Sequence, residues 1–579
     1  MCLPHRLISE GGELSPAAAL VNGAWLAANA LGYLRFKAAL REPRAVQESL
    51  LRWYLRSNRQ TVFGIKHQFQ TIRSAHEYQE RVPLSTYGDY ADAINRIASG
   101  GRGVLTSSRV RLFEPTSGST RGAKLIPFTN QLQEEIRRAV APWIVDLARS
   151  QSALIGGPAY WSISPVTDLS GASDSKIPVG FETDSAYLGG WFQSLVNKTL
   201  VQCDDLRRVS DIDEFRRRTL LRLLAARNLR LMSVWHPTFL TLLLETLLTS
   251  WPSLLTSLRE GLPGDGAARA MAPCLRRAAE LEEADPERPM TIWPELKVIS
   301  CWGDAQASTL LPDLRERFPN VRIQPKGLIA TEAFVSVPFE QHYPLAVRSH
   351  FFEFIDDAGN AKFLWELEES NCYSVVVTTG GGLYRYRLRD RIRVTGFLDQ
   401  TPSIRFIGKE DGISDLYGEK LSDSFIAEIL ARLLPEFAPE TRFSLLAPEY
   451  ERRAARYVLF IDSLANRPAE FADRLESELR GNPHYAYCAH LGQLLPATIA
   501  PIERGSDRLY LAKLQADGAR LGNIKPTALS AAMNWRQTFS ARQMLLVRTA
   551  SGTERPGEPW QAVGCVSSDF RQTKNHPRA

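Results

Sequence analysis

The stretch EPTSGSTRGAKLIPFT, residues 114–129, sets hydroxyl side chains and two glycines ahead of Lys124. Small residues let backbone N–H groups approach an anion, and hydroxyls and a lysine add donors and positive charge. These residue types therefore indicate a nucleotide phosphate as a candidate ligand. The P-loop pattern does not apply, because three residues separate Gly118 from Gly122 and Lys124 follows Ala123.

The residues on either side of this loop have the pattern of β-strands. Residues 109–113 alternate charge and bulk, and residues 124–128 are again extended, so the loop is predicted to join strand to strand. Asn130 is the predicted cap of a helix over residues 131–147. A Ser/Thr/Gly cluster is also typical of an ordinary solvated turn, so this loop alone does not decide between the two interpretations.

Length and composition are those of a soluble protein with more than one domain. The chain has 579 residues, of which 44% are apolar and 23% charged, and its formal net charge is +6. This mild positive excess suits anionic substrates and does not require nucleic acid. The arginine-rich run 215–230 carries leucines at helical spacing, which favours a half-buried helix over a DNA-binding stripe.

Neither a membrane span nor a disulfide framework is predicted. Asparagines and glycines interrupt the apolar run 17–34, which favours a packed helix. The seven cysteines are scattered without paired spacing, and this fits a reducing cytoplasm. We therefore expect a cytoplasmic protein, with a monomer favoured and with neither nucleic acid nor a membrane as a partner.

Helices and strands mix along the chain without regular alternation, which predicts an α+β and α/β fold. Residues 40–80 and 204–260 are predicted to be helical, the first of them because Gln47, Leu50, Leu51 and Tyr54 recur at helix period. Short strands are predicted at 296–300, 321–323, 351–355 and 373–379. A polar, glycine-containing stretch at 410–421 is the predicted hinge between a large domain, 1–409, and a small α+β domain, 422–560. The tail 561–579 is predicted to be disordered.

Two further stretches carry isolated charged groups. In PKGLIATEAF, residues 325–334, Glu332 stands among apolar and small residues, where a lone carboxylate needs a partner. In GARLGNIKP, residues 518–526, Lys525 lies on a glycine-rich loop late in the small domain.

A third stretch, GGGLYRYRLRD, spans residues 380–390. Its three glycines permit a tight turn. The strand that follows is predicted to place Tyr384, Tyr386 and Leu388 on one face. Asp390 is predicted to end that strand.

In this order and spacing, the four stretches resemble the acyl-adenylate-forming (ANL) superfamily, and specifically its Gretchen Hagen branch, the auxin-responsive acyl acid amido synthetases. That branch carries a Ser/Thr/Gly loop followed by Lys and Ile-Pro-Phe, a Thr/Ser-Ser/Thr-Glu motif, a Gly-Leu-Tyr-Arg-Tyr-Arg strand and a late glycine-rich loop with a lysine. The similarity runs from about residue 45 to about residue 527, and the chain resembles bacterial-type members. It implies a large N-terminal adenylate-forming domain, with mixed β-sheets and a small barrel packed with helices. A smaller, mobile C-terminal α+β domain would follow.

The resemblance also implies ATP and Mg²⁺ as cofactors, and a set of site residues. The implied nucleotide-binding residues are Ser117, Gly118, Ser119, Thr120, Lys124, Gly303, Ala305, Leu328, Thr331, Asp390 and Lys409. Of these, the loop residues and Lys124 would hold the β- and γ-phosphates, Gly303 and Ala305 would line the adenine slot, and Asp390 would accept both ribose hydroxyls. Glu332 would hold Mg²⁺, which typically uses one or two carboxylates together with phosphate oxygens. The implied catalytic residues are Lys525, Glu332 and Lys124.

Two of these assignments have structural alternatives. Asp390 could instead pair with Arg387 or Arg393 on its own hairpin, and Glu332 could belong to a structural ion pair.

Three positions depart from the family pattern. Leu328 stands where plant relatives carry a tyrosine that covers the adenine, Arg389 replaces a glycine, and Lys409 replaces an arginine. A leucine can still pack against a purine face, so we expect retained activity with altered nucleotide contacts.

The activity implied by the resemblance is that of a ligase joining a carboxylic acid to an amine, usually an amino acid, through an acyl-AMP intermediate. The acyl pocket is expected near residues 161–164 and Phe334. The alternatives are an acyl-CoA ligase and a non-catalytic sensor of acyl groups or nucleotides. A sensor would have no need of Lys525, which favours an enzyme.

Overall fold

The computed structural model describes residues 16–116, 124–162, 175–180, 189–209, 211–265 and 268–410. It also describes 412–539, apart from 415, 417–418, 420, 452–453, 491–493, 518–523 and 525–526. Within these ranges the chain has the mixed α+β fold that the sequence predicts, with a series of separate hydrophobic core clusters.

Helices make up the N-terminal part: α1 (Pro16–Ala39), α2 (Pro43–Asn58), α3 (Val62–Lys66), α4 (Ala75–Arg81) and α5 (Tyr87–Ala98). The predicted helix-period residues of α2 are all buried, namely Gln47, Leu50, Leu51 and Tyr54. The Gln47 side chain donates hydrogen bonds to the carbonyl oxygens of Val347 and His350, each at 2.7 Å. These bonds tie α2 to a segment some 300 residues later in the chain.

Strands β1 (Val110–Thr116) and β2 (Lys124–Thr129) pair antiparallel, with Thr116 opposite Lys124. The predicted strand-to-strand connection is therefore confirmed, although residues 117–123 of the loop lie outside the described residues. Helix α6 (Asn130–Ser150) follows at once and packs against α1. Its cap is Thr129, whose hydroxyl accepts the N–H of Leu132, so the prediction of Asn130 as cap was wrong by one residue.

A parallel sheet has the order β3 (Ala159–Trp161), β4 (Leu231–Ser233), β5 (Val298–Cys301) and β6 (Arg322–Pro325). The helices in this part are α7 (Gly190–Asn197), α8 (Ile212–Ala225), α9 (Pro237–Glu260), α10 (Leu275–Glu282), α11 (Pro289–Ile292) and α12 (Leu311–Arg317). Every residue of β5 is buried, as expected for a parallel strand covered on both faces. Since the strands are parallel, their carboxyl ends lie at one edge of the sheet.

Helices α8 and α9 share one hydrophobic core beside this sheet. In α8, Arg217 and Arg218 pair with Glu214, and leucines fill the buried face, so the predicted half-buried helix is confirmed. Residues 239–260 of α9 are long and apolar enough to cross a membrane, with a mean hydropathy of 1.3, a test that core helices of soluble proteins also pass.

An antiparallel sheet has the order β11 (Thr401–Lys409), β10 (Tyr386–Leu398), β9 (Cys372–Thr378), β7 (Phe351–Ile355) and β8 (Ala361–Phe363). Among the described residues, β11 and β8 are the edge strands of this sheet and do not pair with each other. Two details of the prediction for residues 384–390 were wrong. Strand β10 begins only at Tyr386, because Arg385 has a left-handed backbone with φ 47°, and it continues past Asp390 to Leu398. Tyr384, Tyr386 and Leu388 are nevertheless all buried.

The C-terminal part has its own core around a sheet of order β14 (Ser444–Glu451), β15 (Ala454–Ile461) and β16 (Leu494–Pro501). Its helices are α13 (Asp423–Phe437), α14 (Pro468–Leu479), α15 (Pro483–His490) and α16 (Ser506–Ala516). The predicted hinge contains β12 (Ile413–Ser414), which pairs with β13 (Leu421–Ser422). The division at 410–421 stays a prediction, and the tail 561–579 lies outside the described residues.

Candidate active site

A pocket lies at the carboxyl edge of the parallel sheet. Its wall comes from segments that follow β4, β5 and β6, together with Phe406 of β11. Gly303, Ala305 and Leu328 all line it, so the structure brings together three residues that the sequence assigned to the adenine slot. Ligands of open α/β sheets typically bind at this edge.

The segment after β5 has an unusual backbone that shapes the pocket wall. A side chain at Gly303 would bring its Cβ within 2.7 Å of Pro325, so only glycine fits there without a shift. Ala305 has a left-handed backbone with φ 48°. Between them, Asp304 pairs with Arg405 at 2.6 Å and accepts the N–H of Phe406 at 3.2 Å. This contact fastens the wall to β11 and was not predicted from the sequence.

Asp304 is largely buried. Burial raises the pKa of its carboxyl group above the usual range, and the hydrogen bond and charge of Arg405 act in the opposite direction. The Asp304 side chain is 12% exposed and that of Arg405 is 42% exposed, so water reaches this ion pair from the arginine side.

Glu332 and Thr331 lie in a tight loop between β6 and β7, and both are partly buried. Backbone hydrogen bonds close this loop on itself, from Ala330 to Ala333 and from Val335 to Leu328. The same loop therefore carries Glu332 and the pocket residue Leu328.

A contact between Glu332 and Tyr386 links this loop to β10. The Tyr386 hydroxyl donates to Glu332 Oε1 at 3.4 Å. Burial, reinforced by the Glu332 charge, raises the pKa of Tyr386, so its hydroxyl stays a donor at neutral pH.

Asp390 lies in an irregular part of β10. The register between β10 and β9 shifts between Arg387 and Arg391, and Arg389 within this bulge has φ 59°, a conformation that favours glycine. Asp390 itself is 2% exposed and lies opposite Lys409 in the pairing of β10 with β11. The Lys409 side chain lies outside the described atoms.

The two arginines considered as alternative partners of Asp390 each pair with another carboxylate. Arg387 pairs with Glu410 at 3.1 Å, and Arg393 pairs with Glu428 at 3.1 Å.

Lys124 begins β2, and its ammonium nitrogen lies 6.0 Å from the ring centre of Tyr87. The Tyr87 hydroxyl accepts the N–H of Leu125 at 2.8 Å, which fixes the start of β2 against α5. Ser117, Gly118, Ser119 and Thr120 lie outside the described residues, as does Lys525, so their roles stay predictions.

A hydrogen-bond network around the fully buried side chains of Glu135 and His350 joins the elements that carry these residues. His350 Nε2 accepts the N–H of Phe334 at 3.2 Å, so Nδ1 carries the ring proton and donates to Glu135 of α6 at 3.1 Å. Glu135 also accepts the N–H of Gly380 at 2.9 Å and a hydrogen bond from Gln131 at 3.0 Å. The Glu332 loop, α6 and the turn before β10 therefore meet at one carboxylate.

Sequence reasoning missed Lys326, Asp304, Glu135 and His350. Lys326 stands inside the quoted stretch 325–334, and a lysine between Pro325 and Gly327 was a signal that could have marked it. Glu135 and His350 are 215 residues apart, so no local pattern pairs them.

Glu332 fits Mg²⁺ as one protein ligand that acts together with the phosphate oxygens of a nucleotide. Among the described residues, no cluster of three or more His, Cys, Asp or Glu side chains could hold a metal alone. Magnesium usually keeps several waters and binds one or two carboxylates together with phosphate oxygens, so a single oriented glutamate suffices when a nucleotide is present. The hydroxyl of Tyr386 is a donor, which suits an ionised Glu332 carboxylate.

Three consecutive segments of the chain match domains of one family, GH3. Residues 33–323 match the GH3 family N-terminal domain, 343–409 the GH3 family central domain and 424–534 the GH3 family C-terminal domain. Jasmonoyl–L-amino acid synthetase JAR4 of Nicotiana attenuata is 24% identical over 418 residues, covering 64% of this chain and 70% of its own length. Indole-3-acetic acid-amido synthetase GH3.4 of Arabidopsis thaliana is 23% identical over 455 residues, covering 68% and 72%.

The fold is similar to that of a solved GH3.15 acyl acid amido synthetase, with a TM-score of 0.73 over 87% of this chain and 94% of that one, at 19% identity. A second structure, AtGH3.15 in complex with 2,4-DB, has a TM-score of 0.76 over 89% and 96%, at 18% identity. At these identities the likeness shows the fold alone. It includes a large N-terminal and a smaller C-terminal domain.

Proposed function

Because the chain belongs to the GH3 family, we propose that it is an ATP-dependent acyl acid amido synthetase. It activates a carboxylic acid as an acyl adenylate and transfers the acyl group to an amine, with amino acids the favoured class. The names of its relatives support this activity. The observation on this chain that carries the proposal is that the predicted adenine residues line one pocket, walled by the loop that bears Glu332.

The reaction has two halves. In the first, a carboxylate oxygen of the acid attacks the α-phosphorus of ATP, and the bond to the bridging oxygen breaks, so that pyrophosphate leaves. In the second, the amine nitrogen attacks the acyl carbon and loses a proton, and AMP leaves with the bonding electrons.

Each proposed residue has one role in the first half-reaction, which forms the acyl adenylate. Lys124 and the hydroxyls and backbone of 117–120 bind the β- and γ-phosphates, and Asp390 accepts the ribose hydroxyls. Lys525 approaches the α-phosphate and the attacking carboxylate. Glu332, oriented by Tyr386, is the protein ligand for Mg²⁺, which supplies charge neutralisation at the phosphates when bound.

The proposal is tested by ATP–pyrophosphate exchange across a broad panel of carboxylic acids. Exchange should require both an acid and Mg²⁺, and product mass spectrometry should then find amides when pooled amino acids are added. Measurable ATP binding without exchange for any acid would favour the nucleotide sensor. Thioester formation with CoA, and no amide with any amino acid or simple amine, would favour the acyl-CoA ligase.

A matched pair of variants tests the nucleotide part of the site. Asp390→Asn should raise the KM for ATP, because an amide is a weaker acceptor for ribose hydroxyls than a carboxylate. Asp399→Asn, at the exposed turn after β10, should leave that KM unchanged. Equal KM values for the two variants would remove Asp390 from the site.

A further inference from the structure

Two stretches of the chain, residues 49–76 and 93–113, contain no acidic residue, although the whole chain has 64 of them. A backbone hydrogen bond joins the two stretches, from the N–H of Val62 to the carbonyl oxygen of Gly103 at 2.9 Å. The end of α2, helix α3 and the loop before β1 therefore lie side by side. Any charge that these stretches present to solvent is positive.

Four exposed cations surround this junction: Arg56, Arg59, Lys66 and Arg102. Arg56 and Arg59 are three residues apart at the C-terminal end of α2, so they lie on the same face. Lys66 ends α3, and Arg102 directly precedes Gly103. None of the four cations forms an ion pair with another residue that the structure describes.

The acidic residues on either side of the first stretch have other partners. Glu48 pairs with Arg44 at 3.0 Å, and Glu77 accepts the N–H of Arg73 at 2.9 Å. The four cations are therefore available to an anionic partner from outside the chain.

Three large apolar side chains are exposed on the same elements. Trp53 is 41% exposed, Val62 45% and Ile65 66%. Trp53 stands three residues before Arg56 on α2, and Val62 and Ile65 are three residues apart on α3, so the members of each pair share a helix face. We call these three apolar residues and the four cations the basic apolar surface.

We propose that the basic apolar surface binds an anionic lipid bilayer. Cations are attracted to anionic headgroups, and exposed tryptophan and aliphatic side chains enter the boundary between headgroups and acyl chains. Nucleic acid also attracts cations, but it stacks its bases on aromatic rings and gains nothing from Val62 and Ile65. A surface contact needs no membrane span, so the residues that argue against a span at 17–34 do not argue against this contact. The inference is independent of the proposed function.

Cosedimentation of the full chain with lipid vesicles tests the proposal. One set of vesicles is phosphatidylcholine alone, and the other contains about 30% phosphatidylserine in phosphatidylcholine. The unaltered protein should bind the phosphatidylserine vesicles at least about tenfold more tightly at about 0.1 M salt, and about 0.5 M salt should remove most of this difference. Equal binding to both sets, or binding to neither, overturns the inference. This comparison needs no variant, so it decides even where a variant fails to fold.

The double variant Arg56→Glu, Arg59→Glu tests whether this surface makes the contact. Each Lys or Arg near an anionic surface strengthens binding by about fivefold, so reversing two charges should weaken binding to phosphatidylserine vesicles by about 10² or more. The control is Arg276→Glu, Arg288→Glu, which changes the net charge equally at side chains that are 65% and 80% exposed. The control should bind nearly as the unaltered protein does. Equal losses in the two double variants would show that net charge attracts the lipid, and this result would overturn the inference.

Ile65→Ser separates a bilayer from other anionic partners. Loss of an apolar side chain that enters the bilayer should weaken binding to phosphatidylserine vesicles by about tenfold. The matched control is Leu275→Ser on α10, where the leucine is 67% exposed, and it should leave binding unchanged. If Ile65→Ser binds as well as Leu275→Ser while the arginine double variant has lost binding, the surface recognises anions such as an acidic protein, and the bilayer proposal is overturned.

Discussion

Glu135→Gln is the substitution that most directly tests the buried network beneath the site. Glu135 has 0% side-chain exposure and accepts hydrogen bonds from His350, Gly380 and Gln131. Glutamine has one oxygen and one NH2 group, so at least one of these donors must face another donor. A buried polar group left unsatisfied costs about 1–3 kcal/mol, and the remaining bonds lose their charge assistance. We expect the folded state to lose about 2–4 kcal/mol.

The same substitution should weaken ATP use. Gly380 begins the turn before β10, and His350 holds the N–H of Phe334, two residues after Glu332. Loosening both attachments should raise the KM for ATP more than it lowers the kcat with saturating nucleotide. Urea unfolding followed by tryptophan fluorescence gives the stability change, and the exchange assay gives the kinetic split.

Glu134→Gln is the matched control, because Glu134 neighbours Glu135 on α6 but is 43% exposed and pairs with Arg137 and Arg138 of the same helix. It should change stability by less than about 0.5 kcal/mol. If Glu135→Gln costs no more than Glu134→Gln, the network does not hold the site together.

Four further predictions follow from single residues. Glu332→Gln should weaken the Mg²⁺ dependence and slow exchange by roughly 10² or more; an unchanged metal titration would remove Glu332 from the metal site. Lys525→Ala should slow adenylation by about 10² to 10³ but spare conversion of a synthetic acyl adenylate, and equal loss in both half-reactions would contradict this role. Arg389→Gly should stabilise the protein by about 0.5–1 kcal/mol in urea unfolding, because φ 59° is strained for arginine; a destabilised variant would mean that the arginine side chain outweighs the strain. Burial raises the pKa of Asp304, so its carboxyl binds a proton more tightly in the folded state than in the unfolded state, and the protein should lose stability relative to Asp304→Asn as the pH rises above about 4; parallel unfolding profiles would show that this carboxyl has no raised pKa.

Much of the fold could be predicted because the signals were local. The strands around the opening loop, the buried face of α2 and the half-buried helix α8 follow from periodicity within single elements. Boundaries were less certain where backbone conformation departs from the usual regions. Strand β10 begins only after Arg385, which has a positive φ, and continues through the bulge at Arg389, which also has a positive φ. Arginine rarely adopts a positive φ, so the residue type gave no indication of either feature.

The candidate site was predictable only where its residues belong to recognisable motifs. Gly303, Ala305 and Leu328 were assigned from sequence and do line one pocket. Lys326 and the pair of Glu135 and His350 were missed because their importance comes from burial and from partners distant in the chain. Such contacts depend on how the parallel and antiparallel sheets pack against each other, and this packing cannot be inferred from residue types alone.

Several buried hydrogen bonds join the N-terminal helical region to β9 and to the turn between β9 and β10. Tyr78 bonds Thr378, Tyr90 bonds the carbonyl of Tyr384, and Arg385 bonds the carbonyl of Val82, with partners 294–303 residues apart. During synthesis at 5–20 residues per second, helices α4 and α5 must wait roughly 15–60 s for these partners. Residues 33–323 match one family domain, but a fragment of that range would lack these partners. We therefore expect a fragment that stops before β10 to aggregate or to need a chaperone.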